Sequence, residues 1–154
     1  MKAGAGDMGG ARLFVIERGK NANIVRYDAV QDPDGALLPE APVRAYWVLL
    51  AEDGRTKELG WLERKKAYGF DVAPGPEAGS YLLRLAASPE RRFLLRRSGG
   101  RPRVETVIDG APAVLEKIYV GSSEGAWGLR VDYVDLFGRR PGTGSACKER
   151  IKLR

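Results

Sequence analysis

The chain has 154 residues, of which 44% are apolar and 30% are charged, and these values are typical of one ordinary globular domain. It contains no histidine and one cysteine, so His-based catalytic triads, His metal sites and internal disulfides are excluded. The net charge of +6 and the pI of about 9.6 permit nucleic acid, anionic lipid or an acidic partner without requiring any of them.

Residues 1–10 are rich in Gly and Ala and predict a flexible N-terminal tail ahead of a single domain over residues 11–154. The tail has no apolar segment of the signal-peptide type, and no run in the chain has the length of a membrane span. We therefore expect a cytoplasmic protein without a transmembrane segment. A leader removed beforehand would leave no trace in this sequence.

The first elements predicted are two strands and a turn. Residues 12–17 and 24–30 are apolar segments on either side of a connector rich in Gly and Asn, which indicates a β-hairpin. Residues 43–51 contain the longest apolar run, 45–51, and predict a central strand that is covered on both faces. Asp53 and Gly54 then predict a tight turn.

After this turn the sequence predicts the only α-helix, over about 57–68. Thr56 is a suitable N-cap, Glu58 lies in the first turn, and Gly69 follows the last turn. The alternative is a strand through Leu59 and Trp61 that is interrupted at a glycine.

The second half of the chain predicts short strands separated by turns. They cover residues 70–72, 80–87, 92–97, 103–108, 113–121 and 129–137. In the last segment Cys147 and Ile151 point one way and the basic residues between them point the other. Glu149 falls on the apolar side, so we expect it to have a cation or a hydrogen-bond partner.

These patterns together predict a mostly β protein. We expect a single antiparallel β-barrel or sandwich of about nine or ten short strands with one α-helix. A closed barrel is preferred to a sandwich because closure removes the exposed edges of the sheet.

Two sequence motifs resemble a bacterial protein family. The first is R-x-K-N-x-N-x-V at residues 18–25, and the second is W-x-E-R-K-x-A-Y-G-F at residues 61–70. The chain resembles the family catalogued as domain of unknown function 4833, from about residue 13 to the final strand. The resemblance implies a single domain and supplies no chemistry.

The first functional hypothesis is a non-catalytic binding module. A face with aromatic and basic residues would recognise a small anionic ligand or a protein partner. The candidate residues are Arg18, Lys20, Asn21, Asn23, Tyr46, Trp47, Trp61, Glu63, Arg64 and Tyr68. The simpler interpretation of the first four is a hairpin turn with solvated charges.

The second hypothesis is binding of a polyanion, such as nucleic acid, by the hairpin over residues 91–103. Glu90 is the only acidic residue that we expect near its arginines, and Phe93 is its only aromatic residue. The candidate residues are Arg91, Arg92, Arg96, Arg97, Arg101 and Arg103. The simpler interpretation is a basic edge hairpin that resists aggregation.

The third hypothesis is an enzyme that works without histidine. Glu63 with Lys65 or Tyr68 would supply general acid–base chemistry in a cleft. The simpler interpretation is a solvated helix face with Tyr68 packed inward. We expect no metal and no cofactor, and we favour a non-catalytic protein over an enzyme.

Overall fold

The computed structural model describes residues 11–18, 23–60, 68–125 and 128–153, which form a mostly β structure of eleven strands. The strands are β1 Ala11–Arg18, β2 Ile24–Ala29, β3 Val43–Leu49, β4 Arg55–Glu58, β5 Phe70–Pro74, β6 Tyr81–Leu85, β7 Ser88–Ser98, β8 Arg101–Ile108, β9 Ala111–Gly125, β10 Gly128–Arg139 and β11 Ala146–Lys152. A short 3-10 helix, Leu50–Glu52, follows β3. Within the described ranges, no helix has the length and apolarity needed to cross a membrane. The predicted N-terminal tail lies outside the described residues.

The spine of the sheet is the pair of its two longest strands, β9 and β10. β10 pairs along one edge of β9, and β11 pairs with the far side of β10. The other edge of β9 pairs first with β8 and then, after a bulge, with β1. Two arms therefore leave β9, one in the order β1-β2-β3-β4 and one in the order β8-β7-β6-β5. The sheet curls into an open half-barrel.

The apolar core fills the inside of the curl and receives side chains from both arms. Alternate residues of a strand point to opposite faces, so each strand gives one apolar set to the inside. Phe14 and Tyr27 come from the first arm, Phe93 from the second, and Ile118 and Leu136 from the spine. All five are fully buried. The other set of side chains forms the outer face of the sheet.

Tight glycine turns join the strands of the second arm. Gly99 and Gly100 have φ of 62° and 84°, and Asp109 and Gly110 have φ of 54° and 82°. Positive φ at both central residues is the two-residue hairpin geometry that matches the twist of paired strands. Asp109 and Gly110 therefore form the two-residue turn between β8 and β9.

The predicted helix over about 57–68 is wrong. Lys57 and Glu58 belong to β4 and pair with β3, and the described residues contain no α-helix. Asp53 and Gly54 have φ of 64° and 75°, so the chain reverses there and returns along β3. The pairing of β4 with β3 therefore outweighs the helix N-cap signal of Thr56. Residues 61–67 of the predicted helix lie outside the described residues.

The predicted closed and fully antiparallel sheet also needs correction. β4 and β5 stand at the two ends of the sheet path, and in the described residues they pair only with β3 and β6. β1 pairs with β9 in the parallel sense, whereas all the other strand pairs are antiparallel. A parallel pair needs a long connection, and the segment from β2 to β8 supplies it. The strand count is eleven rather than nine or ten.

Candidate functional site

A stack of aromatic rings on the inner face supports the site. The rings of Phe14 and Tyr27 are stacked with centroids 4.5 Å apart, and Phe70 meets Tyr27 edge-on at 5.9 Å. The Tyr27 hydroxyl donates a 2.7 Å hydrogen bond to the backbone carbonyl of Tyr68. Burial raises the pKa of Tyr27, and the neighbouring Tyr68 raises it further, so the phenol stays a neutral donor. The stack therefore fixes the backbone at Tyr68.

Tyr68 contacts two other residues of the predicted site, so three of its members lie together. Its ring meets that of Trp47 edge-on at 5.2 Å, and the guanidinium carbon of Arg18 lies 5.9 Å from its centroid. Arg18 ends β1 and Trp47 is half-buried on β3. Among the described residues, no carboxylate forms an ion pair with Arg18. The inner face thus holds a cation against an aromatic ring, and no acceptor among the described residues occupies its hydrogen-bond donors.

Tyr68 also lines a cleft of about 280 Å³ between the beginnings of β3 and β5. Its lining residues are Val43, Arg44, Ala45, Glu58, Leu59, Tyr68, Gly69 and Phe70. Most of these side chains are apolar, and Arg44 and Glu58 form an ion pair with each other. The cleft is therefore mostly apolar, and the charged side chains among its lining residues are the paired Arg44 and Glu58.

Tyr46 belongs to the opposite face and does not join this group. Its hydroxyl donates a 2.6 Å hydrogen bond to Asp28, which is completely buried. Arg26 donates a second bond of 2.6 Å to the same carboxylate. Burial raises the pKa of Tyr46, and the hydrogen bond to Asp28 raises it further. Tyr46 therefore stabilises a buried carboxylate on the outer face by donating a hydrogen bond to it.

The remaining candidates of the predicted binding site are Asn23 and five residues outside the described ranges. Asn23 comes directly before β2 and is partly buried. Lys20, Asn21, Trp61, Glu63 and Arg64 lie outside the described residues, as does Lys65 of the enzyme hypothesis.

The arginine hairpin formed by β7 and β8 is partly neutralised by two glutamates. Arg96 and Arg103 both donate to Glu105, at 3.0 and 2.7 Å, so the expectation that Glu90 is the neighbouring acid is wrong. Burial acts to raise the pKa of Glu105, but the hydrogen bonds from the two arginines outweigh it and hold the pKa below its ordinary value.

A third arginine of this hairpin also has an acidic partner. Arg91 binds both carboxylate oxygens of Glu149, at 3.1 and 2.9 Å. Within the described ranges, only Arg92, Arg97 and Arg101 of the six candidates have no ion pair, and all three are exposed. The hairpin is therefore not the continuous positive stripe that its sequence predicts.

Comparison with known families identifies the chain. The profile of the family described as domain of unknown function (DUF4833) matches residues 14–150. The chain belongs to this family. Searches of curated proteins and of solved structures gave no significant match to this DUF4833 protein.

The two motifs that carry the DUF4833 resemblance meet at the inner-face site. Arg18 begins the first motif, and Tyr68, Gly69 and Phe70 end the second. Sequence reasoning missed the support that Tyr27 gives to this junction. The signal was available, because Tyr27 follows Val25 at a spacing of two and therefore shares its apolar face. The cleft itself has no local sequence signal, since residues 43–45, 58–59 and 68–70 meet there only through the tertiary fold.

Proposed function

We propose that this protein is a non-catalytic binding module that recognises a small anionic ligand, or the equivalent group of a protein partner. The anionic end would bind Arg18, and the apolar body would occupy the cleft beside Tyr68. The observation that carries the proposal is the Arg18 guanidinium held over the Tyr68 ring without a carboxylate partner among the described residues.

The chemistry of the guanidinium supports an anionic ligand. Its planar N–H donors match a carboxylate or phosphate in a two-point hydrogen bond, and the guanidinium is always charged. A cation over a ring keeps its outer N–H groups free for such an acceptor. Because the Tyr68 carbonyl accepts a hydrogen bond from Tyr27, the backbone that carries the ring is held in place before any ligand binds.

The size of the cleft supports a small ligand. Its volume of about 280 Å³ lies just below the ~300–1,000 Å³ that is typical of small-molecule pockets. The apolar side chains of Val43, Ala45 and Leu59 would accept a ring or a short aliphatic chain. Benzoate and phenyl phosphate combine such a body with a negative end, so they are suitable probes.

The test uses isothermal titration calorimetry and NMR on the full chain. We expect benzoate and phenyl phosphate to bind and to shift the Trp47 indole and Gly69 amide signals, while benzyl alcohol binds at least about tenfold more weakly because it lacks the charge. Arg18→Gln should weaken binding of the anions by a factor of about 10 to 100.

Arg12→Gln is the matched control because Arg12 is an exposed arginine on the same strand, without an ion pair in the described part of the chain. It should leave binding unchanged. Equal weakening by both variants, or equal affinity for benzyl alcohol and benzoate, would contradict the proposal.

The competing functions have weaker support. Glu63 and Lys65 of the enzyme hypothesis lie outside the described residues, so that hypothesis gains no geometry. Polyanion binding by the β7–β8 hairpin is opposed by Glu105 and Glu149, which bind three of its six arginines.

A further inference from the structure

The outer face of β9, β10 and β11 carries rows of cations and aromatic rings that the binding module does not use. In one row across the strands, Phe137 of β10 lies between Lys117 of β9 and Lys148 of β11. In the next row, Asp135 lies between Tyr119 and Arg150. These side chains alternate with core residues such as Leu136, so they point away from the core.

The cations of this face are held against the rings. The Nζ atoms of Lys117 and Lys148 lie 4.7 and 5.3 Å from the Phe137 centroid. The guanidinium carbon of Arg150 lies 3.8 Å from the Tyr133 centroid, and Tyr119 stacks near the same ring at 6.3 Å. The rings and the cations therefore form one connected platform.

A glycine determines where the Tyr133 ring lies. Gly121 is the direct cross-strand neighbour of Tyr133, and a Cβ atom added to it would be 2.2 Å from the ring. The ring therefore covers the backbone of β9 at a position that admits only glycine. This arrangement fixes an aromatic surface beside the basic row.

The charge of the platform is predominantly positive. Asp135 is buried and binds Arg150 through two bonds of 2.8 and 3.0 Å. Lys148 is 3.9 Å from the same carboxylate, and Lys117 is 3.6 Å from Glu17. Both separations exceed the length of a hydrogen bond, so both ammonium groups keep donors for other acceptors.

The cations of β11 also follow a regular line. Lys148, Arg150 and Lys152 occupy every second position of this strand, so they lie about 7 Å apart along it. In the described residues β11 pairs only with β10, and the line therefore runs along an edge of the sheet. Phe137 and Tyr133 form a parallel row of rings on β10.

We infer that this face binds single-stranded nucleic acid. The cations of β11 and Lys117 would contact successive phosphates, and bases would stack with the Phe137 ring and with the Arg150 guanidinium that covers Tyr133. Binding of single strands without sequence preference combines these two parts, a basic track for the backbone and aromatic rings for the bases. The β7–β8 hairpin lacks the aromatic part, because Phe93 is buried.

Fluorescence anisotropy of the full chain with a labelled oligothymidylate of about 12 nucleotides tests this inference. We expect the affinity to fall as salt rises from about 50 to about 200 mM. The double variant Lys148→Gln/Lys152→Gln should reduce the slope of log K against log salt by about 1.4, since each contact to a single strand contributes about 0.7.

A second pair of measurements tests the stacking of bases separately from the contacts to phosphates. Phe137→Leu should weaken binding by about fivefold or more with an unchanged salt slope. An abasic oligomer with the same phosphates should likewise bind at least about fivefold more weakly than the thymidylate.

The control is Arg92→Gln/Arg101→Gln, which removes two exposed arginines of the hairpin and should have no effect. Absence of binding at low salt, equal loss in the control, or equal affinity for the abasic oligomer would overturn the inference. The last result, together with competition by heparin, would indicate a general polyanion surface instead.

Discussion

The inner cleft and the outer face of β9–β11 use the same residue types in different ways. Inside, the rings of Phe14, Tyr27 and Phe70 contact one another, and a single arginine lies at their margin. Outside, Phe137 and Tyr133 contact cations, and the charges are multiple and exposed. The alternation of side chains along each strand produces this separation.

The difference shows how burial decides the role of an aromatic residue. A ring that is removed from water stabilises the fold through its apolar area. A ring that remains at the surface contributes less to stability and positions a neighbouring charge. We therefore expect substitutions inside to change mainly stability and those outside to change mainly binding.

The largest expected effect is on stability and compares one ring from each surface. Phe14→Ala should lower the free energy of unfolding by about 3–5 kcal/mol, because it leaves a cavity under Tyr27. Phe137→Ala should cost about 1 kcal/mol, since its ring is only partly buried. Urea denaturation measures both values. Similar losses for the two variants would show that the outer face is as tightly packed as the core.

A smaller effect should separate two tyrosines of the outer face. Tyr46→Phe removes the hydrogen bond to the buried Asp28, so it should cost about 1.5–3 kcal/mol. Tyr119→Phe is the control, because the Tyr119 hydroxyl has no hydrogen bond within the described ranges, and it should change stability by less than about 0.5 kcal/mol. Thermal unfolding of both variants checks this difference. If the two agree, Asp28 does not depend on Tyr46.

The smallest effect concerns acid stability. Hydrogen bonds from Arg91 and from the Asp109 amide hold the pKa of Glu149 below its ordinary value, and those from Arg150 do the same for Asp135. A carboxyl with a lowered folded-state pKa stabilises the fold above its unfolded-state pKa. That contribution is lost as pH falls through the folded-state value. The free energy of unfolding should therefore be nearly constant from about pH 7 to 5 and should decrease below about pH 4.5.

Glu149→Gln should reduce this acid dependence and cost about 1 kcal/mol at neutral pH. Glu40→Gln, at an exposed carboxylate without an ion pair in the described residues, is its control. An unchanged pH profile in the Glu149 variant would show that the contact with Arg91 does not stabilise the fold.

The alternation of apolar and polar residues along the sequence predicted much of the strand structure. It placed Glu149 on the apolar side of the last strand and required a partner for it, and the structure supplies Arg91 and the Asp109 amide. The error at residues 57–68 arose because capping signals are local, whereas pairing of β4 with β3 depends on the turn at Asp53 and Gly54. The parallel pair of β1 and β9 has no local signal at all.

Residue type and spacing named three residues of the candidate site but not the contacts that bring them together. Arg18, Trp47 and Tyr68 were named from residue type and spacing, and they do lie together. Their meeting depends on the hydrogen bond from Tyr27 to the Tyr68 backbone, which joins distant parts of the chain. The neutralisation of Arg96 and Arg103 was missed because it requires the register between β7 and β8.

The parallel pair of β1 and β9 also matters while the protein is being made. β1 emerges early from the ribosome, but its partner follows roughly a hundred residues later, which corresponds to about 5–20 s of translation. During this interval one edge of β1 offers unpaired amides to any neighbouring nascent chain. The first arm of the sheet thus depends for its protection on a strand that is synthesised long after it.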